Sequence, residues 1–120
     1  METITLNGIE YVKKSDINEM AEKLDGMPYC IVRTYSAGVF AGYIEKRDGK
    51  EVSIRNVRRI WFWAGANTLS QLAVDGPLKP DECKFACLVN RIEVTEAIEI
   101  IECTEKAKKA IEGVPEWKLK

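Results

Sequence analysis

Two segments of the chain concentrate arginine and aromatic side chains at spacings that suit ligand binding. One runs from Arg33 to Tyr43 and the other from Arg58 to Asn67. If the second segment is a β-strand, alternate residues share a face, so Arg59, Trp61 and Trp63 project together. A guanidinium beside flat indole rings can hold a phosphate while a base stacks on the rings. This pattern predicts a surface for a nucleotide-type ligand.

The candidate ligand-binding residues divide by the part of a nucleotide that each would contact. Arginines would hold phosphate, aromatic rings would stack on a base, and polar side chains after Gly65 would read its edges. A short helix opening at Asn67 would add backbone N–H donors for an anion. The full set is Arg33, Arg58 and Arg59 for phosphate, Tyr35, Trp61 and Trp63 for stacking, and Asn67, Ser70 and Gln71 for polar edges.

Two other interpretations of the same cluster stay open. Tryptophan and tyrosine on a sheet face often belong to the core or to an oligomer interface, and arginine at a strand end often protects an exposed edge. Tyrosine, tryptophan and arginine are also the residues that dominate protein-docking hot spots. The alternative function is therefore a protein-interaction module.

Catalytic and metal chemistry have little support in the sequence. The chain contains no histidine, which removes the commonest general base and every histidine-dependent triad. No glycine pattern matches a P-loop or a dinucleotide-binding fingerprint. Cys83 and Cys87 could hold a metal only if Cys30 and Cys103 converge on them, and reduced, buried thiols are the simpler expectation. We expect neither an enzyme nor a cofactor.

Length, composition and charge fit one ordinary domain spanning residues 1–120. Hydrophobic residues make up 46% and charged residues 31% of the chain, as in an average globular protein. The net charge of −1 gives no bulk attraction to nucleic acid and disfavours it as a partner. No apolar stretch approaches the roughly 20 residues of a membrane span, and the first residues do not resemble a signal peptide. We expect a cytoplasmic protein without a membrane partner.

The elements that position the candidate residues follow from turn signals and apolar periodicity. Asn7-Gly8 between two β-prone runs predicts an opening hairpin. A helix is predicted from Ser15 or Asp16 to Gly26, with apolar residues at helical spacing. The next runs alternate strand and turn, with strands over 29–35, 39–46 and 52–63 and turns at 36–38 and 47–50. The apolar alternation slips within the third strand, which predicts a bulge near Asn56.

The second half of the chain predicts two helices and two strands. Asn67 or Thr68 caps a short helix, and a surface loop follows over 75–82. Residues 88–102 form two strands broken near 95–96, and Thr104 caps a last helix that ends at Gly113. The predicted fold class is α+β, a single compact domain of mainly antiparallel sheet with two or three short helices.

The glycine- and aromatic-rich blocks resemble a family of small bacteriophage and prophage proteins that contain a domain of unknown function. The blocks are Arg33–Val39, Ala41–Tyr43, Arg59–Trp61, Trp63–Ala66, Leu69–Ala73, Glu82–Phe85 and Thr95–Ile101. The resemblance covers nearly the whole chain and implies a phage origin, without an activity or site residues. Small phage accessory proteins often antagonise host defence, so it also implies a non-catalytic protein that sequesters a signalling nucleotide. We expect a homo-oligomer with pockets between subunits. For the alternative function, the resemblance implies an interaction module that binds a host or virion protein.

Overall fold

The computed structural model describes residues 5–6, 9–10 and 19–117. They form a mainly antiparallel sheet of six strands with two helices, preceded by a two-stranded hairpin, which confirms the predicted α+β class. In chain order the elements are β1 Thr5–Leu6, β2 Ile9–Glu10, β3 Tyr29–Thr34, β4 Val39–Asp48, β5 Glu51–Phe62, α1 Leu69–Asp75, a 3₁₀ turn Pro80–Glu82, β6 Lys84–Phe85, β7 Val89–Val94, β8 Ala97–Glu102 and α2 Glu105–Glu112. No helix in these residues is long and apolar enough to cross a membrane.

The first predicted hairpin is confirmed, and the first predicted helix is wrong where the structure describes it. Strands β1 and β2 pair antiparallel, while the Asn7-Gly8 turn lies outside the described residues, as do residues 11–18. Residues 19–26 are not helical, because their backbone pairs with a distant segment. Met20 forms an antiparallel bridge with Thr104, and the Ala21 N–H donates to the Cys103 carbonyl. These tertiary hydrogen bonds override the local helical spacing.

The β4–β5 hairpin bends sharply at its middle. Ala41 pairs with Arg58 and Tyr43 with Arg55, so two residues of β5 face Gly42 in the predicted bulge, where Asn56 has a φ of +48°. A Cβ atom on Gly42 would lie 2.7 Å from the Ile54 side chain and 2.9 Å from a backbone oxygen of β5. Only glycine lets the two strands approach this closely at the bend.

The bend lets the sheet curl until its two edges meet at a corner. The strand order is β6-β5-β4-β3-β8, with β7 paired to the first half of β5. Strands β7 and β8 are consecutive in the chain, as predicted from the break at 95–96, yet they lie at opposite edges of the sheet. The short connection at 95–96 joins the two edges, and the Ala97 N–H at the start of β8 donates to the Lys50 carbonyl in the β4–β5 turn.

Both faces of the sheet are buried, each by a different part of the molecule. One face packs under α1 and α2 in a core that we call the helix-side core, which includes Ile31, Ile60, Phe85 and Ile111. The curl of the sheet encloses the other face around Val32, Phe40, Val52, Ile54, Val57, Val94 and Ala97. Because side chains alternate along a strand, successive residues of β3 enter different cores.

Both helices begin at a predicted threonine cap, and α2 ends at the predicted Gly113. The Thr68 hydroxyl accepts from the Gln71 N–H at the start of α1, and the Thr104 hydroxyl accepts from the Ala107 N–H at the start of α2. In the predicted surface loop over 75–82, Asp75 belongs to α1, Gly76 and Pro77 are buried, and residues 80–82 form the 3₁₀ turn. Both helices pack on the same face of the sheet, in the helix-side core.

Candidate functional site

A groove lies at one end of the sheet, between the β3–β4 turn and the last residues of β5. It has a volume of about 460 Å³, within the range of small-molecule sites. The pairing of Val39 with Ile60 places the two segments side by side. The groove is lined by Ser36, Ala37, Gly38, Val39, Arg59, Ile60, Trp61 and Trp63. Three of the predicted ligand-binding residues therefore share one groove.

Arg59 is the cation of this groove. Its side chain is exposed, and its guanidinium carbon lies 4.7 Å from the centre of the buried Phe40 ring. A guanidinium stacked on a ring in this way keeps its N–H donors available around its edge. Phe40 thus restrains the Arg59 side chain without using the groups that would bind an anion.

Trp61 is the exposed aromatic surface of the groove, with 66% of the residue accessible. One of its faces stacks on Trp117, with ring centroids 6.2 Å apart and planes inclined by 18°. The ammonium of Lys84 lies 5.3 Å from the centre of the Trp117 ring. The remaining exposed surface of Trp61 is a rigid platform, because stacking on Trp117 restricts its rotamer.

Trp63 lines the same groove, but it does not lie on the strand face of Arg59 and Trp61 as the sequence predicts. Strand β5 ends at Phe62, so the alternation that would place Trp63 on the face of Arg59 and Trp61 does not continue. The Trp63 side chain is half-buried and packs against the helix-side core. It forms part of the groove wall, while Trp61 carries most of the exposed aromatic area.

Arg58 was predicted to hold phosphate, but the structure places it inside the fold, where it binds the backbone. It is buried, with 4% of the residue exposed. Its Nη1 donates to the Ile111 and Val114 carbonyls at 2.8 Å, and its Nε donates to the Ala86 carbonyl at 2.9 Å. The guanidinium therefore caps the C-terminal end of α2, where a cation is favourable. Burial lowers the pKa of Arg58 from its usual value, opposed by the charge of Tyr29.

Asn67 and Gln71, which were predicted to contact the polar edges of a base, instead form hydrogen bonds within the N-terminal cap of α1. The Gln71 side-chain oxygen accepts from the Asn67 N–H at 2.8 Å, and the Asn67 side-chain oxygen accepts from the Thr68 hydroxyl at 3.2 Å. The N–H groups of Asn67 and Gln71 therefore donate to side chains of the same turn and are not available to an anion. Ser70 is exposed on α1 and does not line the groove.

The remaining candidates, Arg33 and Tyr35, lie beside the groove rather than in its lining. Arg33 is exposed and forms an ion pair with Glu99 at 3.9 Å. Tyr35 is 78% exposed. Near it, the Ser36 hydroxyl donates to the Glu96 carboxylate, which places a negative charge at the turn end of the groove.

A second cleft, of about 310 Å³, lies beside Arg58. Tyr29 and Val114 line it, together with the carboxylate residues Glu112 and Glu116. The hydrogen bonds from Arg58 to backbone carbonyls and the nearby carboxylates make this cleft a poor site for an anion. Within the described residues, no cluster of histidine, cysteine, aspartate and glutamate is arranged to hold a metal, and all four cysteines are free.

Lys84 and Trp117 are the members of this surface that the sequence analysis did not select. Both lie far along the chain from Trp61, and β6 and the C-terminal segment bring them to it. Phe62 pairs with Lys84, and the Trp117 N–H donates to the Phe85 carbonyl. No spacing within the sequence links them to Trp61, because the connection depends on which strands pair.

The groove and most of the core lie within a segment that matches a known family model. The match covers residues 27–111 and is to a domain of unknown function, DUF6948. The chain belongs to this DUF6948 family. The matched region includes β3 to β8 and nearly all of α2, and it ends before Trp117. No curated protein and no solved structure matches the chain.

Proposed function

We propose that the groove between Arg59 and Trp61 binds a nucleotide-type small molecule without catalysing a reaction on it. The observation that carries the proposal is the combination of an exposed, stacked indole and a restrained guanidinium in one groove of about 460 Å³. Base–aromatic stacking contributes about 1–3 kcal/mol per base, and arginine binds phosphate in a bidentate geometry.

The charges around the groove orient the ligand. Glu96 lies at the turn end through its bond to Ser36, and a phosphate there would be repelled. Arg59 and, beyond Trp61, Lys84 supply the positive charges. We therefore place the base on the free surface of Trp61 and the phosphate beside Arg59, with Val39 and Ile60 as the apolar wall.

Thermal unfolding in the presence of the four ribonucleoside 5′-monophosphates tests this proposal. A ligand at 100 times its dissociation constant adds about 2.7 kcal/mol to the free energy of unfolding. We expect at least one monophosphate to raise the melting temperature of the wild type, and Arg59→Ala to abolish the rise while circular dichroism shows an intact fold. Arg47→Ala, at the exposed tip of the β4–β5 hairpin, is the matched control and should keep the rise.

The proposal fails if none of the monophosphates changes the melting temperature at millimolar concentration. It also fails if Arg47→Ala weakens binding as much as Arg59→Ala does, because the effect would then reflect net charge instead of the groove.

A protein-interaction module is the second candidate, and the exposed aromatic side chains favour it. Trp61, Phe62 and Trp117 are each about half or more exposed, and exposed aromatic groups of this size commonly anchor protein interfaces. Under this alternative, Phe62→Ser would weaken capture of a host protein, while nucleotides would leave the melting temperature unchanged.

We propose further, from the resemblance to phage proteins, that the ligand is a signalling nucleotide sequestered in the host cytoplasm and that the protein acts as a homo-oligomer. Sequestration requires only tight binding and no catalytic residue, and the sequence analysis selected none. Solution mass by light scattering, measured with and without ligand, tests the oligomer. A monomer under both conditions would contradict that part of the proposal.

A further inference from the structure

Trp61 belongs to two adjacent sets of contacts. On one side it lines the groove with Arg59. On the other side it stacks on Trp117, whose ring is faced by the Lys84 ammonium at 5.3 Å. A single exposed surface therefore continues from the groove, across Trp61, to a second cation that the groove itself does not include.

The sheet order fixes the direction of this surface. Strand β5 lies between β4 and β6, so the β3–β4 turn borders Trp61 on one side and Lys84 on the other. Glu96 is bonded to that turn, and the cations Arg59 and Lys84 lie away from it. The two cations thus follow the Glu96 carboxylate in the direction of β6, which favours a ligand whose anionic groups run in the same direction.

We infer that the groove takes a dinucleotide in preference to a mononucleotide, with the second phosphate at Lys84; this rests on the proposed function. The first base stacks on the free surface of Trp61 and its phosphate meets Arg59. The second nucleotide crosses the edge of the Trp61–Trp117 pair, and its phosphate accepts hydrogen bonds from the Lys84 ammonium. Trp117 supports both steps because it stacks on the Trp61 ring and faces the Lys84 ammonium.

Titration calorimetry with two probes of the same base tests the inference. Adenosine 5′-monophosphate and the 5′-phosphorylated dinucleotide pApA would each be titrated into the wild type. An added charge-assisted hydrogen bond at a partly exposed site predicts that pApA binds about fivefold to tenfold more tightly. Lys84→Ala should reduce that ratio toward one, whereas Lys84→Arg, which keeps the charge, should preserve it.

Two further variants make the experiment specific. Lys106→Ala removes a lysine of α2 that pairs with Asp75, and it should leave the ratio of the two affinities at the wild-type value. Trp117→Phe keeps an aromatic ring behind Trp61 and should lower the ratio only in part. Circular dichroism of each variant checks that the fold is retained.

The outcomes distinguish the dinucleotide inference from the proposed nucleotide-binding function. Equal affinities for the two probes in the wild type, or a full pApA preference in Lys84→Ala, would overturn the inference while the mononucleotide site stands. Binding of neither probe, together with no change in melting temperature with any of the four monophosphates, would instead contradict the proposed function.

Discussion

Arg58 and Arg59 are adjacent in the sequence and have opposite roles. Arg58 is buried and binds three backbone carbonyls at 2.8–2.9 Å, whereas Arg59 lies on the exposed rim of the groove over Phe40. Strand alternation predicts that they face different sides. It could not predict which side is solvent, because both faces of this sheet are covered by other parts of the chain. The role of Arg58 depends on α2, which follows it by almost fifty residues.

Arg58→Lys should therefore destabilise the fold, and Arg59→Lys should not. Lysine cannot reach three carbonyls in the planar geometry of a guanidinium, which leaves buried acceptors without donors. We expect a loss of about 2–4 kcal/mol in the free energy of unfolding for Arg58→Lys and less than about 1 kcal/mol for Arg59→Lys. Urea unfolding measures both, and similar losses for the two variants would contradict the assignment of Arg58.

The buried thiols predict a loss of stability in alkaline solution. Burial raises the pKa of Cys30 and of Cys103 to about 12, and burial also raises that of Cys83. In the unfolded chain these thiols ionise near 8.5. The folded state then binds more protons than the unfolded state, so stability is constant below this pH and falls as the pH rises toward 12, by up to about 1.4 kcal/mol per thiol per pH unit.

Urea unfolding at intervals from pH 7 to pH 10 checks this prediction. The free energy of unfolding should be level up to about pH 8 and decline above it. Cys30→Ala, which replaces a buried thiol with a smaller apolar group, should show a shallower decline. A free energy of unfolding that does not change from pH 8 to pH 10 would show that the thiols ionise in the folded state.

At the scale of elements, local signals predicted the β-rich half of the molecule well. Glycine turns, the slip of alternation near Asn56 and the break at 95–96 are encoded by neighbouring residues, and each is confirmed. The helix predicted to end at Gly26 is wrong over its described residues, 19–26, since residues 19–21 pair with residues 103–105. The pairing of β7 with β5, and of β8 with β3, has no local signal either, because it depends on the bend of the whole sheet.

Gly42 is the residue on which that bend depends most directly. Gly42→Ala would place a Cβ atom against Ile54 and the backbone of β5 at 2.7–3.0 Å, which should cost about 1–3 kcal/mol of unfolding free energy through overpacking. The control is Gly49→Asn, at the open β4–β5 turn, where asparagine tolerates the positive φ and no atom lies within 4 Å of the added Cβ.

Thermal unfolding of the two glycine variants compares them directly. Gly42→Ala should melt well below the wild type, and Gly49→Asn should melt close to it. If the order were reversed, crowding at the bend would not be what requires glycine at position 42.

At the scale of the whole molecule, the candidate site is assembled from segments far apart in the chain. The β3–β4 turn, the end of β5, Lys84 and Trp117 meet only because the sheet curls and β6 and the C-terminal segment pack beside β5. The sequence predicted the Arg59 and Trp61 part of the site through strand alternation. It could not predict Lys84 or Trp117, nor that Asn67 and Gln71 would be used in the cap of α1.

The three tryptophans report directly on the central claim that the groove binds a nucleotide. Their indole N–H groups give three separable signals in a ¹H–¹⁵N nuclear magnetic resonance spectrum, assigned by single Trp→Phe variants. Titration with each of the four ribonucleoside 5′-monophosphates is compared, and at least one should shift the signals of Trp61 and Trp63, which line the groove, more than that of Trp117. If all three signals stay in place at saturating millimolar nucleotide, or if only Trp117 responds, the groove is not the binding site.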